Sequence, residues 1–128
     1  MKRIILDTNI LIPFLRNPDD FLETLADYDK LVVTPTVAGE FLAGIGPNRQ
    51  GELNRRVFED FLANPAVESI SITTKTGAIY AEIYKDLKLR GMPIPTNDIW
   101  IAACAIATGA DLFTRDSHFK NIKGVKLV

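Results

Sequence analysis

Four acidic residues, each placed where a charge is out of character, set the chemistry open to this sequence. Asp7 stands in "IILDTNILI", an aspartate inside an otherwise apolar run. A carboxylate leaves water only where something offsets its lost hydration. Asp116 follows "LFT" with one arginine between, and Asp98 opens the nearly all-apolar stretch "NDIWIAACAIATG". Glu40, in "PTVAGEFLAG", shares with Val37, Phe41 and Gly44 the i, i+3, i+4, i+7 spacing of a helix's inward side. Glu52 and Glu59 could compete for its place, but neither sits among small residues as Glu40 does.

Each acid also has an ordinary explanation. Asp7 could be a plain N-cap, Asp98 an acid favoured in a first helical turn, and Glu40 half of a salt bridge. Taken together they imply more. Four carboxylates in one pocket repel, raise one another's pKa and destabilise the fold unless a cation is held among them. Oxygen-only ligands select a hard ion, Mg²⁺ or Mn²⁺, and the chain has no Cys/His ligand set that would favour zinc. An ion that keeps open positions polarises a phosphoryl oxygen, lowers the pKa of attacking water and stabilises a leaving oxyanion. The expected reaction is metal-dependent phosphodiester hydrolysis, with Asn97 a hydrogen-bonding neighbour of the site.

These residues meet only if the elements between them bring them to one edge. Lys2 to Leu6 reads as a buried strand, and Asp7, Thr8 and Asn9 are good cap types for a helix that Pro13 should distort or delay. A second helix is expected from Pro18 to about Tyr28, with Phe21, Leu22 and Leu25 inward. "KLVVT" reads as a strand and "PTVAGEFLAG" as a helix whose Gly39, Ala43 and Gly44 would let it approach the sheet closely. A loop, "GIGPNRQG", leads to a helix over Gly51 to Ala63 with Leu53, Val57, Phe58 and Phe61 on its apolar side. "VESISI" alternates as a strand does. Thr74 to Arg90 is strongly helical, with Ile79, Ile83 and Leu87 in register, and stops at Gly91 and Pro93. "NDIWIAACAIATG" is a central helix ended by Gly109. "DLFT" is a strand, "DSHFKNI" a turn or short helix, and "VKLV" a last short strand. Strands alternating with helices predict one α/β domain over residues 1–128, a three-layer α/β/α sandwich around a mostly parallel twisted sheet. Ligands of such sheets sit at the carboxyl ends of the strands, where Asp7 and Asp116 fall.

With these motifs in place, the chain resembles a known family. "IILDTNILI", the acid in "VAGEFL", "PTNDIWIAACAIATGADLFTRDSHF" and the closing "VKLV" are similar to the PIN domain, in particular to the VapC-type toxins of type II toxin–antitoxin systems. The late segment is the specific part, and "DTN" alone is weak. The resemblance implies that Asp7, Glu40, Asp98 and Asp116 form an acidic quartet that binds Mg²⁺ or Mn²⁺ and supports RNA cleavage. It implies that Asn9 and Thr114 lie near the metal or hold its ligands. It further implies a homodimer, neutralised by a small antitoxin that packs over the active site. Two other readings stay open: a non-catalytic module that binds RNA or protein, and a phosphatase with Asp7 as nucleophile. The latter would be expected to carry a second aspartate where Asn9 stands.

Bulk properties narrow the field. The 128 residues are 47% hydrophobic and 24% charged, with formal net charge -1, ordinary globular composition that gives no overall pull toward a polyanion. RNA contact must therefore come from local basic groups such as Arg49, Arg55, Arg56, Lys85, Lys88 and Arg90, or from bound cations. One cysteine, Cys104, excludes an internal disulfide and fits a reducing cytoplasm. Asp7 interrupts the only candidate leader, and no stretch approaches the roughly 20 apolar residues of a membrane span. Cys104 and Trp100 are expected in the core, Trp100 with an interface as alternative. Tyr80 and Tyr84 are expected to pack in the core or at a dimer contact, and His118 to be an ordinary surface residue, with phosphate or RNA contact as the alternative.

Overall fold

A computed structural model describes residues 1–128. Four strands, β1 (Arg3–Leu6), β2 (Lys30–Val33), β3 (Val67–Ser69) and β4 (Asp111–Phe113), form one parallel sheet in the order β3-β2-β1-β4. β1 is central, pairing Ile4 with Leu31 on one side and with Asp111 on the other. Covered on both faces, it reads as the continuous apolar run Ile4, Ile5, Leu6 rather than an alternating one, and all three are buried. Six helices flank the sheet: α1 (Thr8–Arg16), α2 (Leu22–Leu25), α3 (Pro35–Ala43), α4 (Arg49–Ala63), α5 (Thr74–Leu89) and α6 (Thr96–Thr108). The expected three-layer α/β/α architecture is the one observed. None of these helices is long and apolar enough to cross a membrane.

The strand order creates the place where a ligand can bind. From β1 the chain steps outward to β2 and β3, then returns to place β4 on the other side of β1. The direction of winding therefore switches between β1 and β4, which opens a crevice at their carboxyl ends. Across that crevice the Asp7 amide donates to the Phe113 carbonyl at 3.0 Å. The α6 helix, which carries Asp98, is the most buried helix, with Ile99, Ile101, Ala102, Ala103, Cys104 and Ala105 all in the core. Gly109 ends it at φ 68, the left-handed cap position that a residue with a Cβ disfavours.

Several local expectations are corrected. α1 runs straight through Pro13, because Ile10 and Leu11, fully buried against the sheet, hold a helix that has lost one N–H. The expected helix from Pro18 is a 3₁₀ turn over Pro18–Phe21 followed by one α-turn. Its tighter winding sends Leu22 into solvent instead of inward. Gly39, Ala43 and Gly44 lie on the solvent side of α3, so the small residues do not bring that helix toward the sheet. α4 begins two residues early, at Arg49, with Asn48 Oδ1 accepting from the Gly51 amide at 2.8 Å. Of its apolar side, Phe58 is buried and Phe61 packs on the core, but Leu53 and Val57 are exposed. "VKLV" contributes a single bridge, Leu127 to Leu112, rather than a strand.

A close approach explains Gly51. A Cβ there would lie 1.9 Å from the Gly46 carbonyl oxygen, so the loop before α4 seats directly on bare backbone. Any side chain would have to displace that loop.

Candidate active site

β1 delivers Asp7 to the crevice, where it also caps α1: Asp7 Oδ1 accepts from the Thr8 amide at 2.8 Å. Its other oxygen, Oδ2, accepts from the Thr114 hydroxyl at 2.7 Å. Thr114 follows β4, and its Oγ1 accepts in turn from the Asp116 amide at 3.0 Å and from Asn9 Nδ2 at 3.4 Å. The Asn9 carbonyl oxygen Oδ1 takes the Arg115 amide at 3.1 Å. One threonine hydroxyl thus joins the ends of two neighbouring strands and fixes Asp7 against Asp116. Asp7 is only 5% exposed.

The other two acids arrive on helices. Glu40 sits one side of the crevice on α3, where Oε1 accepts from the Thr8 hydroxyl at 2.8 Å and Oε2 from Asn97 Nδ2 at 3.5 Å. Thr34 caps α3 from the end of β2, its hydroxyl oxygen accepting from the Val37 amide at 3.1 Å, which sets the helix's direction into the crevice. Asp98, in the first turn of α6, faces Asp116 with His118 between them. His118 Nδ1 lies 3.4 Å from Asp98 Oδ2 and 3.0 Å from Asp116 Oδ1. Asp116 caps the short 3₁₀ turn Ser117–Asn121, its Oδ1 accepting from the His118 amide at 2.9 Å.

The carboxylates feel one another. Burial pushes the Asp7 carboxyl above its ordinary value, opposed by the Thr114 and Thr8 hydrogen bonds and reinforced by the charges of Glu40 and Asp116. Asp98 is raised by burial first, then by Asp116 and by Asp7, while His118 works in the opposite direction. All four acids singled out in the sequence, with Asn9, Asn97 and Thr114, therefore gather at one end of the sheet.

Two residues there escaped sequence reasoning. Thr8 reads as a helix-capping type, yet its hydroxyl holds Glu40. His118 reads as an ordinary surface residue, and the structure instead pairs it with two of the acids. The signal that could have found it is its place two residues past Asp116, within reach of a capping carboxylate.

This geometry has known counterparts. The family model described as the PIN domain matches residues 4–125. The chain belongs to the PIN-domain family. Among curated PIN-domain relatives, ribonuclease VapC2 of Rickettsia felis is 32% identical over 95% of this chain and 93% of its own length. Ribonuclease VapC1 of Methanocaldococcus jannaschii is 30% identical over 98% of this chain and 87% of its own. The solved structure of VapBC2 from Rickettsia felis, bound to a DNA fragment from the promoter, is similar at TM-score 0.85 and 30% identity, covering 98% of this chain and 97% of that one.

The residues of this PIN domain fit a bound divalent cation. No lysine or arginine forms an ion pair with Asp7, Glu40, Asp98 or Asp116, and His118 is the sole basic group paired with any of them. Oxygen donors dominate, their orientations fixed by Thr8, Asn97 and Thr114, which is the donor set a hard ion takes. Thiol chemistry has no place: Cys104 is buried in α6 and its thiol is pushed up to about 11.

Proposed function

We propose that this chain is an endoribonuclease that hydrolyses RNA phosphodiester bonds with Mg²⁺ or Mn²⁺ bound, and that it is the toxin of a toxin–antitoxin pair. One observation carries the reading: four carboxylates from four segments share the β1/β4 crevice without a lysine or arginine to neutralise them. The relatives named ribonuclease VapC support the substrate class, and the VapBC structures support an antitoxin partner. Asp7, Glu40, Asp98 and Asp116 would hold the ion. When bound, it supplies Lewis-acid polarisation of the phosphate and a more acidic attacking water.

The chain's own residues prepare that site. Thr114 and the Thr8 amide occupy one position on each Asp7 oxygen, which fixes the carboxylate plane and suits it to hold a cation rather than to attack as a nucleophile. Thr8 and Asn97 do the same for Glu40. Arg115, exposed between Thr114 and Asp116, is the basic side chain nearest in sequence to the acids and suits a phosphate oxygen of the substrate. Arg90 is already engaged, with Nη2 2.6 Å from Asp86 Oδ2.

Exposed apolar groups mark where partners would bind. Ile12, Leu53 and Val57 lie exposed on α1 and α4 and form a surface that an antitoxin segment would cover. Tyr84, Leu89 and Met92 are exposed along and just after α5, Tyr84 stacking on Tyr80, which stacks on Trp100 at 4.2 Å, and they suit a homodimer contact. Cytoplasmic action is consistent with the free thiol.

The test is cleavage of an RNA panel by the purified protein with Mg²⁺ or Mn²⁺, with chelator, and beside Asp98→Asn. Cleavage should stop with chelator. The variant should lose more than the ~10–100-fold that follows loss of an outer-shell partner in metal sites. Cleavage that survives chelator, or an Asp98→Asn protein as active as the wild type, overturns the proposal.

A further inference from the structure

We infer that His118 is a nitrogen ligand of the bound cation, which makes this a mixed carboxylate–imidazole site that prefers Mn²⁺ to Mg²⁺. The inference rests on the metal-dependent reading and adds to it a residue and a selectivity. Two donors bound side by side to one octahedral ion at about 2.1 Å lie about 3.0 Å apart, and donors on opposite sides about 4.2 Å. His118 Nδ1 stands 3.0 Å from Asp116 Oδ1 and 3.4 Å from Asp98 Oδ2. One donor atom from each of the three residues falls within 4.8 Å of the others. The two His118 separations are thus close to those of neighbouring ligands on a single ion.

The backbone that carries the imidazole is also held in place. Asp116 takes the His118 amide, and the next residue, Phe119, is buried in the core, so the 3₁₀ turn keeps the base of the side chain beside the acids. A surface histidine on a loose loop would not be so constrained. Here the anchor on one side is a candidate ligand and on the other a core phenylalanine.

Chemistry then sets the preference. Mg²⁺ favours oxygen donors and keeps its waters, whereas imidazole is a donor suited to transition ions. Exchanging one oxygen ligand for nitrogen costs Mg²⁺ more than it costs Mn²⁺. The acids alone would treat the two ions more evenly.

Pulsed electron paramagnetic resonance on the Mn²⁺-loaded wild-type protein tests the contact directly and needs no variant. A nitrogen hyperfine coupling is expected, altered when histidine is supplied as the ¹⁵N form and absent in His118→Ala. Calorimetric titration with each ion tests the preference: His118→Ala should weaken Mn²⁺ binding by at least the ~10–100-fold seen when a metal site loses an outer-shell partner, while Mg²⁺ binding changes far less. Mn²⁺ bound with no nitrogen coupling, or equal losses for both ions, overturns the inference and leaves the metal-dependent reading standing. No binding of either ion to the wild-type protein overturns both.

Discussion

Replacing Thr114 with valine removes one hydroxyl and keeps nearly the same shape. That hydroxyl has one hydrogen to donate and two lone pairs to accept with. All three are used: it donates to Asp7 Oδ2 at 2.7 Å and accepts from the Asp116 amide at 3.0 Å and from Asn9 Nδ2 at 3.4 Å. A hydrogen bond to a charged group contributes about 1.5–3 kcal/mol, and an ordinary one about 0.5–1.5 kcal/mol. The Asp116 amide and Asn9 lie nearer solvent than Asp7 and regain part of their loss from water. Asp7 cannot, although it has one escape. Its carboxyl is already raised by burial, Thr114 is the first of the groups holding it down, and without that donor it takes up a proton more readily. Protonation caps the penalty, so Thr114→Val should destabilise the metal-free protein by about 2–3 kcal/mol at neutral pH. Cation affinity should fall about 10–100-fold, because a loosened, more basic carboxylate must give up its proton to bind. Urea unfolding measures the first and calorimetric Mn²⁺ titration the second, with Thr114→Ser as the control that keeps both near wild type. A Thr114→Val protein within about 0.5 kcal/mol of wild type, and with unchanged cation affinity, would refute the role assigned to this hydroxyl.

Other features of the chain set two more expectations. Because Asp7 and Asp98 have raised carboxyl values when folded, the folded state keeps its protons to higher pH than the unfolded chain. Their contribution is neutral below the ordinary aspartate value of about 3.9, and stability falls as pH rises from there through the raised folded values. Urea unfolding of the cation-free protein, compared with Asp98→Asn, should show the two stabilities diverging as pH rises, to the disadvantage of the wild type, and added Mn²⁺ should reverse this at neutral pH. Parallel pH profiles would contradict it. Gly51→Ala should destabilise by more than the few tenths of a kcal/mol usual for an exposed helix position, since its Cβ meets the Gly46 carbonyl oxygen. Thermal unfolding checks this, and a stabilised variant would show that the loop shifts freely.

What the sequence made legible was the position of charge along the chain. Asp7 and Asp116 stood out because an apolar run must end where a carboxylate begins, and the end of a parallel strand is where ligands bind. Asp98 was legible for the same reason at the head of a helix too apolar to be anything but central. Glu40 came from helical spacing, yet the same reasoning misread its neighbours: Gly39 and Gly44 face solvent, because small residues fit an exposed side as well as a close contact. Leu53 and Val57 were assigned inward on periodicity, which locates a stripe but not its width. Periodicity did not place His118, since its direction depends on a 3₁₀ turn whose geometry is set by Asp116 capping and Phe119 burial, and only its spacing from Asp116 pointed to it. Pattern reports which residues share a face; it is silent on turns that carry one side chain into a pocket.

The hydrogen bond from Thr114 to Asp7 closes a loop of 107 residues. Contacts this distant in sequence are slow to form, because much of the chain must be ordered before they are made. Asp7 leaves the ribosome first among the acids and Asp116 last, and the strand that delivers Asp116 also completes the sheet beside β1. During synthesis the chain therefore carries three of its four carboxylates, and none of the bonds from Thr114, until almost the whole domain has emerged. The crevice is therefore complete only once nearly the whole domain has emerged, and a copy truncated before β4 lacks both the sheet partner of β1 and the hydroxyl that orients Asp7.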